Sequence, residues 1–135
     1  MENIINNFAL IDILPYGAVT GDTASAPVSL DDVENVIFII NWKNCTGGSS
    51  SFLEFKVLTA SAIGSAYTEV NDSQYYTKNS WDRLILGIGS ADDLEIVQVR
   101  LNVNDNFVSI LLDETGTFTG DVEVLALFGH ENLPC

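Results

Sequence analysis

Five apolar residues follow one another at Val36–Ile40, VIFII, and Trp42 prolongs one of the two faces they form. A strand with one wet face alternates apolar and polar residues with period two. A run that is apolar on both faces demands cover on both, so this segment calls for a central strand and a second packed layer. Further runs of this kind lie within Arg83–Ile88, Phe107–Leu112 and Leu125–Phe128. Monomers rarely leave contiguous apolar patches above a few hundred Å². The second cover is therefore either the chain's own loops or another subunit.

No segment carries a sustained helical 3–4 spacing. β-branched and aromatic runs separated by Gly, Asn, Asp and Ser dominate instead, which is the pattern of strands and turns. The runs expected as strands are Phe8–Leu14, stopped by Pro15; Thr23–Leu30, limited to an edge or extended arm by Pro27; Val36–Trp42; Phe52–Leu58; a short Tyr67–Val70; Arg83–Ile88; Leu94–Val103; Phe107–Leu112; and Asp121–Phe128. Alternation assigns Leu53, Phe55 and Val57 inward. It places Val97, Val99, Leu101 and Val103 inward against Gln98, Arg100 and Asn102, and sets Leu125 and Leu127 opposite Val124, Ala126 and Phe128. Asn44–Ser50 reads as a loop, and Tyr75 and Tyr76 fall in a polar loop. Val36–Ile40 is expected at the centre of one sheet, packed on the opposite sheet through Leu53, Val99 and Leu101. The N-terminal segment or a neighbouring subunit is expected over its other face.

The fold class is all-β: a single antiparallel β-sandwich, jelly-roll or Ig-like, of about 7–8 strands. A chain of 135 residues is one domain and can bury roughly two-thirds of its unfolded surface. Residues 1–14 are expected as a mobile N-terminal arm with the first strand, and 15–135 as the sandwich body.

Nineteen acidic residues against five basic ones give a net charge of −14. The five cations, Lys43, Lys56, Lys78, Arg83 and Arg100, are scattered, whereas a phosphate backbone is held by clustered Lys and Arg. Nucleic acid is excluded as an expected partner, and an anionic membrane surface would repel the chain. The opening MENIINNFALIDIL lacks the basic start and unbroken apolar stretch of a secretory signal, and no run approaches a membrane span. Synthesis in the cytoplasm is expected, with Cys45 and Cys135 as unpaired thiols.

Catalytic chemistry is poorly supplied. His130 is the sole histidine, and a Cys45–His130 pair would need a thiol with a lowered pKa that nothing near Cys45 in sequence provides. Zinc lacks ligands. Asp31–Asp32, Asp92–Asp93, Asp105 and Asp113–Glu114 lie at strand ends, but none has the spacing of a calcium loop. No catalytic residue, metal or cofactor is expected. Trp42, Trp81, Tyr75 and Tyr76 offer either a platform for sugar or core and subunit contacts.

The order of segments carries a resemblance. The strand ENVIFIINW is followed by a Gly/Ser-rich loop, then FLEFKVLTAS, a tyrosine-bearing loop before WDRLILGI, then LEIVQVRLNV and a closing GDVEVLALFGHENLP. Over Asn35–Pro134 this resembles the small β-sandwich head decoration, or cement, proteins of tailed bacteriophages. There a VVFLI-like strand opens the sheet and a VRLKL-like strand pairs with a C-terminal AVLAI-like strand. The resemblance implies a non-enzymatic virion protein on the outer surface of the capsid, which bridges and stabilises major capsid protein subunits. It also implies a homo-oligomer, trimer or dimer, with the N-terminal arm adding as a strand to the shell protein. Ile4, Ile5 and Phe8 in the arm, with Trp42, Trp81, Tyr75 and Tyr76, are the residues expected at the capsid or subunit interface. The alternatives are a tail or fibre β-module and a carbohydrate-binding, lectin-like sandwich.

Overall fold

The computed structural model describes residues 8–30, 33–62, 64–78, 80–88, 92–102 and 104–130, with the side chains of all but 8, 9, 33, 34, 129 and 130. Eleven strands run in chain order: β1 (Phe8–Val19), β2 (Thr23–Ala24), β3 (Val28–Ser29), β4 (Val33–Gly47), β5 (Phe52–Ala60), β6 (Thr68–Glu69), β7 (Tyr75–Thr77), β8 (Ile85–Gly87), β9 (Asp93–Arg100), β10 (Phe107–Thr115) and β11 (Phe118–His130). A 3-10 turn, Asp72–Gln74, leads into β7. Among the described residues no helix is long and apolar enough to cross a membrane.

The strands form two antiparallel sheets packed face to face, so the expected β-sandwich is the observed architecture. The five-stranded sheet has the order β1-β11-β4-β9-β7, and the six-stranded sheet has β2-β10-β5-β6 with β3 on β10 and β8 on β5. The higher count comes from short pieces: Thr23–Leu30 divides into β2 and β3, and β7 is a strand the sequence pattern did not mark. β2, β3 and β6 have two residues each and β7 and β8 three each, too short to show a period of two.

The inner faces interdigitate as the alternation requires. β4 contributes Val36, Phe38, Ile40 and Trp42; β5 contributes Leu53, Phe55 and Val57; β11 contributes Val122, Val124, Ala126 and Phe128, all buried. Phe38 and Phe55 meet edge-to-face across the two layers, centroids 5.2 Å apart. Val97, Val99 and Leu101 are buried, while Gln98, Arg100 and Asn102 are exposed. Val99 does not lie in the opposite layer, however. It pairs with Val36 as a neighbour in the same sheet, because β4 and β9 are adjacent strands.

Four local expectations change. Pro15 does not stop β1, because register shifts between Asp12 and Leu14 and between Leu14 and Gly17 absorb it on an edge strand. β1 thus runs across the 14/15 boundary drawn from the sequence. β4 continues to Gly47, with Asn44 at φ 57 where the β11 register slips, so Asn44–Gly47 is strand and not loop. β1 does not lie over the outer face of Val36–Ile40; it extends the sheet beside β11, and residues 1–7 lie outside the described residues. Tyr75 and Tyr76 lie in β7, the far edge of the same sheet, and not in a loop.

The sheets are tied at two places. The β10–β11 corner passes through Gly116 at φ 77, where an added Cβ would collide with the Ser51 hydroxyl. At the β7 edge the Tyr75 hydroxyl accepts from the Val57 N–H of β5 (2.7 Å) and donates to Glu69 of β6 (2.9 Å). That backbone N–H lies between the short strands β6 and β8, neither of which pairs with Val57. A buried N–H without a partner would cost about 1–3 kcal/mol. Burial pushes the Tyr75 phenol well above its ordinary pKa, so it stays neutral and able to donate.

Candidate functional site

The outward face of the five-stranded sheet follows from register. One row across it reads Leu10, Leu127, Ile37, Gln98, Tyr76. The next reads Asp12, Leu125, Ile39, Ile96, and a third Glu123, Asn41, Leu94. Leu10 is 61 % exposed and Leu94 and Ile96 52 % each. Ile37, Ile39, Leu125 and Leu127 are half-buried. No described element lies over them. This is the second face of VIFII, without cover among the described residues, and a contiguous aliphatic surface of this kind marks an interaction site.

At the β4–β9–β7 corner of the same face the chemistry changes. Asn35 pairs with Arg100 one row beyond Ile37 and Gln98. With Gln74, Tyr76, Trp81 and Gln98 they line a cleft of about 280 Å³. Tyr76 holds Trp81 in a T-shaped contact, centroids 4.7 Å apart and planes at 65°. The Arg100 guanidinium lies 6.0 Å from the Trp81 ring centroid, the outer limit of a cation–π contact. Gln74 is spent on structure: its amide donates to the Arg100 carbonyl (2.7 Å) and its carbonyl accepts from the Asn71 N–H (2.9 Å).

The residues expected at an interface are dispersed. Ile4 and Ile5 lie outside the described residues. Phe8 opens β1 against Gly129, with its side chain outside the description. Trp42 (5 % exposed) and Tyr75 (0 %) point into the core of the protomer. Tyr76 and Trp81 come together at the surface, so the four-aromatic platform reduces to this pair. The sequence signal for the aliphatic face was the two-faced character of VIFII and of VLALF. Nothing local to Asn35 or Arg100 announced the cleft, because the partners come from three strands and the segment after β7.

The strand-end carboxylates cap backbone donors. Asp92 accepts from the Asn44 N–H (2.9 Å), Asp105 from Asn102 (2.8 Å) and Glu114 from Phe118 (2.8 Å), while Asp113 pairs with Lys56. Among the described residues no group of three or more His, Cys, Asp and Glu could hold a metal. Cys45 is buried in β4, not in a flexible loop, and burial, followed by the charges of Asp92 and Asp121, pushes its thiol up. Its strand faces the Thr119 end of β11, whereas His130 closes the other end of that strand, about 30 Å away at ~3.3 Å per residue. The two are not brought together.

No family model matches this chain, and no curated protein matches it in sequence. Its fold is shared with a solved structure, the SPBc2 prophage-derived protein YomS, at a TM-score of 0.54 and 13 % identity. The match covers 90 % of this chain and 91 % of that one.

Proposed function

We propose that the chain is a non-enzymatic structural protein of a phage particle, and within that class a decoration protein on the outer surface of the capsid. It bridges neighbouring subunits of the major capsid protein and stabilises the shell. The carrying observation is the aliphatic outer face of the five-stranded sheet, with Leu10, Ile37, Ile39, Leu94, Ile96, Leu125 and Leu127 in register and no other described element over them. Seating such side chains against a partner contributes about 1.5–3 kcal/mol for each one fully buried. A net charge of −14 keeps this surface soluble until it docks and discourages adhesion to packaged or stray nucleic acid. A fold shared with a prophage-derived protein supports the phage class.

Quantitative mass spectrometry of purified particles tests the proposal. The expected result is a ratio to the major capsid protein near one or at a simple fraction such as one-third. A handful of copies per particle would move the protein to the tail or fibre, and absence would overturn the virion reading.

A further inference from the structure

We propose that the cleft between β4, β9 and β7 binds a single saccharide residue bearing a carboxylate. The argument starts from unspent valences. Among the described residues Asn35 and Gln98 make no side-chain hydrogen bond, nor do the Tyr76 hydroxyl or the Trp81 indole N–H. Arg100 makes no ion pair with any described residue, in a chain carrying nineteen acids. Arg83 shows the contrasting state, closed by Glu54, Glu69 and Asp72.

The geometry gives these free groups a common target. Trp81 is 56 % exposed and braced by Tyr76, so its exposed ring surface offers apolar area for the C–H face of a pyranose. Asn35 and Gln98 each present an amide donor and acceptor for ring hydroxyls. Arg100 lines the same cleft, its carbonyl held by Gln74, with its guanidinium unpaired among the described residues and open to a carboxylate. A volume of about 280 Å³ falls at the small end of ligand pockets, which suits one sugar residue and not an extended chain. The net negative charge does not forbid an acidic ligand, because at physiological salt charges more than about 8 Å away are largely screened while the guanidinium acts at contact. This proposal stands on the cleft alone and does not depend on where the protein resides.

The test is an NMR titration of the full chain with methyl glucuronoside, read on the two tryptophan indole N–H resonances. Trp42, in the core, is the internal control for the fold. The Trp81 resonance should shift saturably with a Kd of about 1–10 mM, the range of one sugar residue on an open site, while that of Trp42 stays in place. R100Q should weaken binding by about tenfold or more with the Trp42 signal unchanged, and methyl glucoside should bind that much more weakly than the uronoside. Absence of a Trp81 shift, equal binding of the two glycosides, or an R100Q variant that binds as the parent does would each overturn the proposal.

Discussion

On the six-stranded sheet the outward rows of β5 and β10 carry engaged charges, Glu54, Lys56 and Asp113, set among Phe52, Leu58, Phe107, Ser109 and Leu111. Lys56 pairs with Asp113, and Arg83 reaches Glu54, Glu69 and Asp72. On the five-stranded sheet leucine and isoleucine fill seven outward positions over four strands, bordered by Asp12, Asn41, Gln98 and Glu123, and Arg100 at the corner has no countercharge among the described residues. Both faces obey the same period of two, so secondary structure does not distinguish them. The ion-paired face is complete in the protomer and gains little by meeting a partner, since exposed pairs contribute about 0–1 kcal/mol. On the proposed reading, the aliphatic face makes its largest contribution only when a partner covers it.

The strongest way to break this comparison is to place charge on the aliphatic face. The double variant Leu94→Glu, Ile96→Glu should lower occupancy on expanded capsids by roughly 30-fold or more, as loss of an interface hot spot does. Both side chains are half exposed, so the melting temperature of the free protomer should hold. Lys56→Gln with Asp113→Asn, on the opposite face, should leave occupancy unchanged. If that second pair abolished docking instead, the two faces would have been assigned the wrong way round. Copy number per particle is the measurement in both cases.

Removing the tie between the sheets comes next in size. Tyr75→Phe leaves the Val57 N–H unpartnered and should cost about 1–3 kcal/mol in urea denaturation. Arg83→Gln should cost about 1–2 kcal/mol, between the exposed and buried limits, because its side chain is 21 % exposed and three carboxylates lose their cation. The loss should shrink as salt screens those carboxylates.

The smallest effect is a pH slope. Burial, then Asp92 and Asp121, raise the Cys45 thiol in the fold, so the unfolded chain releases that proton first. Stability should therefore fall as pH rises beyond the ordinary thiol value of about 8.5. Tyr75, raised chiefly by burial, acts in the same direction from about pH 10. Lys56, raised chiefly by its hydrogen bond to Asp113, contributes fully below the ordinary lysine value and loses that contribution as pH rises through its folded value. Urea midpoints for the parent and Cys45→Ala across about pH 7.5–10 check the thiol part: the variant should start lower and fall less steeply.

Much of the fold was legible because burial imposes a period on a strand. LEIVQVRL and FLEFKVL alternate, and the structure buries the residues that alternation selects. Pro15 misled because an edge strand tolerates a missing N–H, and Tyr75 because a three-residue edge strand is too short to have a pattern. Half of the candidate surface was also readable, since a run such as VIFII is apolar on the side its own core does not use.

The sequence by itself determined that this chain is an all-β sandwich, strongly acidic, with strands apolar on both sides. Those properties are set by composition and by local spacing along one strand. Which side each apolar row faces, which arginine is neutralised and which is left open, and which aromatics meet were decided only in the tertiary structure. They depend on strand order and register, which bring Asn35, Tyr76, Trp81 and Arg100 together from positions up to 65 residues apart. No local rule in the chain records such a distance.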